Sequence, residues 1–147
     1  MLIRKANLND VNNIASLFDQ YRVWYKKEGD LRGAVAFLTE RLQLKESIIL
    51  LAENEDKTLS GFTQLYPIFS STRLQRMWLL NDLFVDPNFR GQGISKQLIE
   101  AAKDICRQTP ACAILLETGK DNDIGNQLYP RTGFVLNETT HFYEWTC

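Results

Sequence analysis

Met77-Trp78-Leu79-Leu80-Asn81-Asp82-Leu83-Phe84-Val85-Asp86-Pro87-Asn88-Phe89-Arg90-Gly91-Gln92-Gly93-Ile94-Ser95 changes character twice within nineteen residues. Met77 to Val85 is dense in bulky apolar residues and stops before Pro87, which predicts a long central strand. Two glycines follow. From Gly93 the apolar residues Leu98, Ile99, Ala102, Ile105 and Cys106 recur on one helical face until Thr109-Pro110 ends the pattern. Ala113 to Leu116 is then an apolar run too short for a helix. Strand, crossover helix and strand imply a parallel, right-handed βαβ unit over Met77 to Thr118.

Upstream, Arg4 to Ala6 closes a short first strand. Asn9 or Asp10 caps a helix carrying Val11, Ile14, Ala15, Phe18, Tyr21 and Tyr25 on one face, and Gly29 breaks it. Asp30 caps a second helix with Leu31, Ala34, Val35, Leu38 and Leu42 in phase. Ile48 to Ala52 and Leu59 to Tyr66 flank the turn Asn54-Glu55-Asp56-Lys57 and predict a hairpin, with Pro67 and Ser70-Ser71-Thr72 marking a loop. Downstream, Asn122 to Arg131 predicts a short helix, and Phe134 to Leu136 with Phe142 to Trp145 a closing hairpin. The class is α/β, or α+β in schemes that stress a mixed sheet.

The chain has 147 residues, room for one domain spanning 1–147, and 44% of them are hydrophobic, enough apolar surface to exclude wholesale disorder. Seventeen Lys and Arg against eighteen Asp and Glu leave a net charge of −1, with no long run of either sign. That balance argues against nucleic acid and anionic membranes as partners. No apolar stretch approaches the ~20 residues of a membrane span. Met1-Leu2-Ile3-Arg4-Lys5 lacks signal-peptide order, so a cytoplasmic location is expected. Cys106, Cys112 and Cys147 form no C-x-x-C pair and His141 is the sole histidine. This set argues against a metal site, and Cys106 and Cys112 suit small core positions.

The loop Arg90 to Ser95 has two readings. Its free N–H groups and the positive helix end can converge on phosphate, with Arg90 and Lys96 adding charge, or the glycines merely turn the chain. Lys96 stands where G-x-G-x-x-G needs a third glycine, and no G-x-x-x-x-G-K-[ST] occurs, which excludes a dinucleotide fingerprint and a P-loop.

The run Asn81-Asp82-Leu83-Phe84-Val85-x-Pro87-x-x-Arg90-Gly91-x-Gly93-Ile94 is followed by Leu116-Glu117-Thr118. Asp121-Asn122 and then Leu128-Tyr129-x-x-x-Gly133-Phe134 come next. In this order the motifs resemble the GNAT N-acetyltransferase superfamily. The resemblance implies a GNAT-like single domain, a mixed central sheet with helices on both faces and a splayed parallel strand pair. It implies acetyl-CoA as cosubstrate without a metal. Arg90, Gly91, Gln92, Gly93, Ile94 and Ser95 would wrap the pyrophosphate, with Ser95 departing from the family's Gly or Ala. The backbone of Leu83, Phe84 and Val85 would hold the pantetheine arm, one N–H polarising the thioester carbonyl. Asn122 would bond that arm, or simply cap a helix.

Tyr129 aligns with the family tyrosine that protonates the departing thiolate, or it packs at a helix end; Pro130 departs from the acidic residue often found next. For the base, Asp82 comes first, with Glu117 or a water chain as alternatives. Trp24, Tyr25, Tyr66 and Trp78 either line the acceptor pocket or pack in the core. His141 is a surface residue of the hairpin. The resulting expectation is transfer of acetyl from acetyl-CoA to a primary amine of a small cationic molecule, by direct attack in a ternary complex. The alternatives are a non-catalytic CoA-binding or CoA-sensing module and an acetyltransferase of protein amines. Whether the chain forms a homodimer stays open.

Overall fold

The structure, a computed structural model, describes residues 1–147 as two compact units, Met1–Glu117 and Thr118–Cys147. The first unit contains β1 (Leu2–Lys5), α1 (Val11–Trp24), α2 (Leu31–Gln43), β2 (Ile48–Glu53), β3 (Leu59–Ser70), β4 (Gln75–Val85), α3 (Ile94–Gln108) and β5 (Ala111–Leu115). The five strands lie in chain order. β1 to β4 are antiparallel to their neighbours, and β4 pairs with β5 in parallel. The crossover through α3 is the expected βαβ unit.

Alternation along β2 sends Ile49 and Leu51 to one face and Leu50 and Ala52 to the other, and all four are buried. On the first face Val11, Ile14 and Phe18 of α1 and Ala34 and Leu38 of α2 close over Ile49, Leu51, Phe62 and Phe84. On the second, α3 crosses all five strands through Ile94, Leu98, Ile99, Ala102 and Ile105. The sheet thus carries helices on both faces.

Asn7 caps a 3-10 turn, Leu8–Asp10, in a reciprocal capping box with Asp10, and Asp10 stands at the expected N-cap position of α1 without a side-chain bond to that helix. Asp10 is otherwise engaged: Arg4 Nη1 and Nη2 donate to its carboxylate at 2.9 and 2.7 Å. Arg4 Nε also donates to Glu53 at 2.7 Å, tying β1, β2 and the turn together. The Asp30 cap is as expected, accepting from Gly33 N–H at 2.8 Å. α1 ends at Trp24, before Gly29, with Lys26 at φ 60°.

β1 ends one residue early, at Lys5, and β4 starts two early, at Gln75, while β3 and β5 depart from expectation for reasons the structure gives. β3 continues through Pro67 to Ser70: past Leu65 it is flanked by β4 alone, and a strand with one open side tolerates a proline. β5 starts at Ala111 because Thr109 Oγ1 accepts from Trp78 Nε1 at 2.8 Å, holding the end of α3 against β4.

In the second unit α4 (Asp123–Arg131) forms as predicted, with Asn122 as its cap. The closing hairpin does not. Residues 134–147 contain no strand, and Val135, Leu136, Phe142, Tyr143 and Trp145 are exposed. Strand-forming side chains stabilise a strand only beside a partner edge, and this segment forms no ladder. His141 stands in it, its ring 6.2 Å from Tyr143.

Candidate active site

The site is set by one extra residue. Gln64 pairs with Asp82 but Leu65 pairs with Leu80, so Asn81 is a bulge in β4 with no counterpart on β3. The bulge switches faces. Trp78 and Leu80 point toward α3, whereas Asp82 and Phe84, which simple alternation would place beside them, point toward α1 and α2. β4 also leaves β5 here: their pairing runs from Arg76↔Ala111 to Leu79↔Leu115 and goes no further. The parallel pair therefore splays, and Leu83, Phe84 and Val85 have no strand partner on the β5 side.

Asp82, turned inward, is 4% exposed. Gln64 Nε2 donates to its Oδ2 at 2.8 Å and Asn81 Nδ2 to its Oδ1 at 3.0 Å. The Tyr21 hydroxyl donates to the Asn81 carbonyl at 3.5 Å, beside the carboxyl, and pulls against the effect of burial on it. Burial pushes the carboxyl above its ordinary range, against the opposing pull of these donors. The Tyr21 and Tyr66 phenols are pushed up as well, chiefly by burial and then by the Asp82 charge. Gln64 is fully buried, and its Oε1 has no hydrogen-bond partner.

Gln64 and Tyr21 complete this cluster, and the sequence reading missed them in that role. A glutamine inside the apolar run Gly61-Phe62-Thr63-Gln64-Leu65-Tyr66 is the signal that marks the first. Tyr21 carried none, because it lies on the apolar face of α1.

Of the candidate pocket aromatics, Trp78 takes the core alternative: it faces α3, buried and bonded to Thr109. Tyr66 is half-buried on the Asp82 face. Trp24 and Tyr25 are exposed, their rings 4.8 Å apart, and Tyr25 meets Tyr21 edge-on at 4.9 Å. Glu117 is exposed.

Between β4 and α3, Asp86 N–H donates to the Ser60 carbonyl at 3.0 Å, and Asp86 Oδ1 accepts from Asn88 N–H at 2.8 Å, folding Pro87–Phe89 into a 3-10 turn. Arg90 turns back, Nε donating to the Val85 carbonyl at 3.1 Å with its guanidinium over the Phe84 ring. Its side chain braces the loop.

Gly91 and Gly93 sit at φ 79° and 76°, the left-handed region where glycine alone is unstrained. The first α3 bond is Gln97 N–H to the Gly93 carbonyl, and Gly93 offers no side-chain cap. The N–H groups of Ile94, Ser95 and Lys96 are thus left for an anion at the positive helix end. Gln92 and Lys96 are exposed and Ser95 half-buried. These uncapped donors and the unpaired β4 backbone suit a phosphate and an amide-bearing arm respectively.

Within the second unit, Asn122 Oδ1 accepts from Gly125 N–H at 3.1 Å and Nδ2 donates to Thr118 Oγ1 at 2.9 Å. One Nδ2 proton remains for another acceptor. Tyr129 is half-buried, edge-on to Phe134 at 5.9 Å.

Known proteins show the same pattern. The acetyltransferase (GNAT) family model matches residues 12–134. An uncharacterized N-acetyltransferase, YhfO, of Bacillus subtilis is 45% identical over 99% of this chain and 95% of its own. A probable acetyltransferase of Haemophilus influenzae is 31% identical over 98% and 97%. The crystal structure of a probable acetyltransferase superposes with a TM-score of 0.95 at 35% identity, covering 100% of this chain and 98% of that one. Bulge, splay, glycine loop and relatives agree, and the chain belongs to the GNAT family of N-acetyltransferases.

Proposed function

We propose that the protein acetylates a primary amine of a small cationic molecule by direct attack on acetyl-CoA, with Asp82 as general base and Tyr129 as general acid. Asp82 carries the reading. It is a carboxyl turned inward by a bulge, raised in pKa by burial, on the strand whose next residues have no strand partner on the β5 side. A base whose affinity for protons is raised is better suited to take one from an ammonium. The amine nitrogen then attacks the thioester carbonyl. The C–N bond forms, the C–S bond breaks, and the second proton that the nitrogen must lose to become an amide passes to water. An N–H from Leu83, Phe84 or Val85 stabilises the oxyanion, and the thiolate leaves with the Tyr129 proton. Arg90, Gly91, Gln92, Gly93, Ile94, Ser95 and Lys96 hold the pyrophosphate, chiefly through main-chain donors, and Asn122 bonds the pantetheine arm.

The test is thiol release from acetyl-CoA across polyamines, aminoglycosides, amino acids and N-terminal peptides. Rapid turnover confined to small cationic amines is expected. Turnover on peptides alone would point to protein amines, and CoA binding without release to a sensing module.

A further inference from the structure

We infer that Gln64 is a positioning residue for the base, a reversible amide that holds Asp82 in both of its protonation states: Nε2 donates to the carboxylate, and after the amide turns over, Oε1 accepts from the carboxylic acid. This role presupposes that Asp82 takes the substrate proton. Register places Gln64 directly across from Asp82, and alternation along β3 puts its side chain on the face of Phe62, toward α1 and α2. It is 0% exposed, and its amide makes one hydrogen bond, from Nε2 to Asp82 Oδ2 at 2.8 Å. Oε1 is buried with no partner. A buried acceptor without a donor is a standing cost to the fold.

A carboxylic acid has a need that its carboxylate lacks. Once the proton arrives, the carboxyl carries an O–H that must donate. The groups on its two oxygens in the ionised state are themselves donors, Gln64 Nε2 at Oδ2 and Asn81 Nδ2 at Oδ1. Asn81 is exposed and can exchange its bond for one to water, whereas Gln64 has no contact with solvent. A half-turn of the Gln64 amide puts Oε1 where Nε2 stood and leaves the shape of the side chain unchanged. The proton then lies in an Oδ2–H to Oε1 bond, so the oxygen left over in the ionised state is the one that the acid form requires. Turning over leaves Nε2 unpartnered in place of Oε1. One amide atom is therefore unpaired in either state, and the two states lie close enough in free energy for the proton alone to choose between them. A fixed cation at this position would hold only the carboxylate, and an apolar residue would hold neither form.

The titratable and charged groups around the pair are Tyr21 and Tyr25 from α1, Tyr66 from β3 and, beyond Tyr66, Arg41 from α2. Phenols and a guanidinium do not change charge in acid, so a transition there belongs to the carboxyl.

Carbon-13 NMR of the unmodified chain, following the Asp82 carboxyl and the Gln64 side-chain carbonyl together through acid pH, tests the amide directly. The Gln64 carbonyl carbon should move downfield as Asp82 gains its proton, with the same midpoint, because Oε1 takes up a bond. A carbonyl that stays in place or moves upfield overturns the inference. In single-turnover acetylation of a responsive amine, Gln64→Met neither donates to Asp82 nor accepts from it. It should lower the plateau rate ~5- to 10-fold, the worth of one neutral hydrogen bond. It should also move the acid limb of the pH profile to higher pH, since the carboxylate loses the stronger of the two bonds. A shifted limb with a full plateau rate would make Gln64 a donor only, and an unchanged profile a packing residue; either result overturns the inference. Asp82→Asn in the same assay keeps the two failures apart. At the wild-type rate it refutes Asp82 as base and the role of Gln64 with it, whereas a slow Asp82→Asn beside a Gln64→Met enzyme that behaves as wild type refutes Gln64 alone.

Discussion

Replacing Asp82 with asparagine separates the two demands on that residue. In the wild type the folded carboxyl is raised above its unfolded value of ~3.9. Between those two values the folded state holds more protons than the unfolded one, so stability is highest below the unfolded value and falls as pH rises through the folded one. Asparagine removes that slope.

The bonds can be followed atom by atom. Asn81 keeps its acceptor on the new Oδ1. The NH₂ that replaces Oδ2 meets the Gln64 amide, which turns over and presents Oε1, buried and unpartnered in the wild type. One bond is kept and one re-formed, while Gln64 exchanges one orphaned atom for another. Each neutral bond is worth ~1 kcal/mol against ~1.5–3 for a bond to charge, and losing that difference is offset by no longer burying the charge. Urea denaturation at a series of pH values should find Asp82→Asn within about 1 kcal/mol of wild type at neutral pH or more stable, and flatter with pH. Its kcat/KM should fall ~100- to 10,000-fold. A loss of more than ~2 kcal/mol at neutral pH, with the slope intact, would show that the donors outweigh burial.

Four further substitutions have definite expected outcomes. Tyr129→Phe should bind CoA and melt like wild type, yet show single-turnover rates down ~100-fold or more; a rate near wild type would make the residue a packing group. Gly93→Ala should cost ~1–2 kcal/mol from φ 76° alone, since the added Cβ meets no atom within 4 Å. Gly93→Glu should add a loss of CoA affinity beyond that of Gly93→Ala, read by calorimetric titration. Arg4→Met should lower stability by about 1–2 kcal/mol at neutral pH through the mostly covered Asp10 pair. Arg4 holds Asp10 below its ordinary range, so the pair's contribution is present above ~3.9 and lost as pH falls through the folded value. The Arg4→Met deficit should therefore shrink in acid.

What the sequence makes legible is whatever has a period or a punctuation mark. Met77 to Gln108 announces its strand, loop and helix because the apolar spacing changes from strand-like to helical across two glycines that only a left-handed turn requires. Asp30 and Asn122 announce their helices as caps. The bulge has no such mark. Asn81 looks like any polar position in an alternating strand, and reading straight through it puts Trp78 and Asp82 on one face. Partnership also decided the other misses. Pro67 stays in β3 because β2 no longer flanks the strand there, and Phe142–Trp145 forms no strand because no other strand pairs with it. Neither fact is local to the residues concerned.

The two titrating clusters work in opposite directions. Arg4, Asp10 and Glu53 join β1, β2 and the first turn, the Asp10 carboxyl held below the ordinary range by the guanidinium and that of Glu53 by Lys57 first and then the guanidinium. They stabilise the sheet at neutral pH and fail in acid. Asp82, on β4, is a stability cost at neutral pH that acid would relieve. A residue kept only for packing would not hold a raised carboxyl beside a fully buried glutamine with an unused oxygen. An apolar pair of the same shape satisfies the fold better. The arrangement makes sense where the proton affinity itself is used, and the neutral-pH stability of the Arg4 cluster is what allows the same sheet to tolerate it.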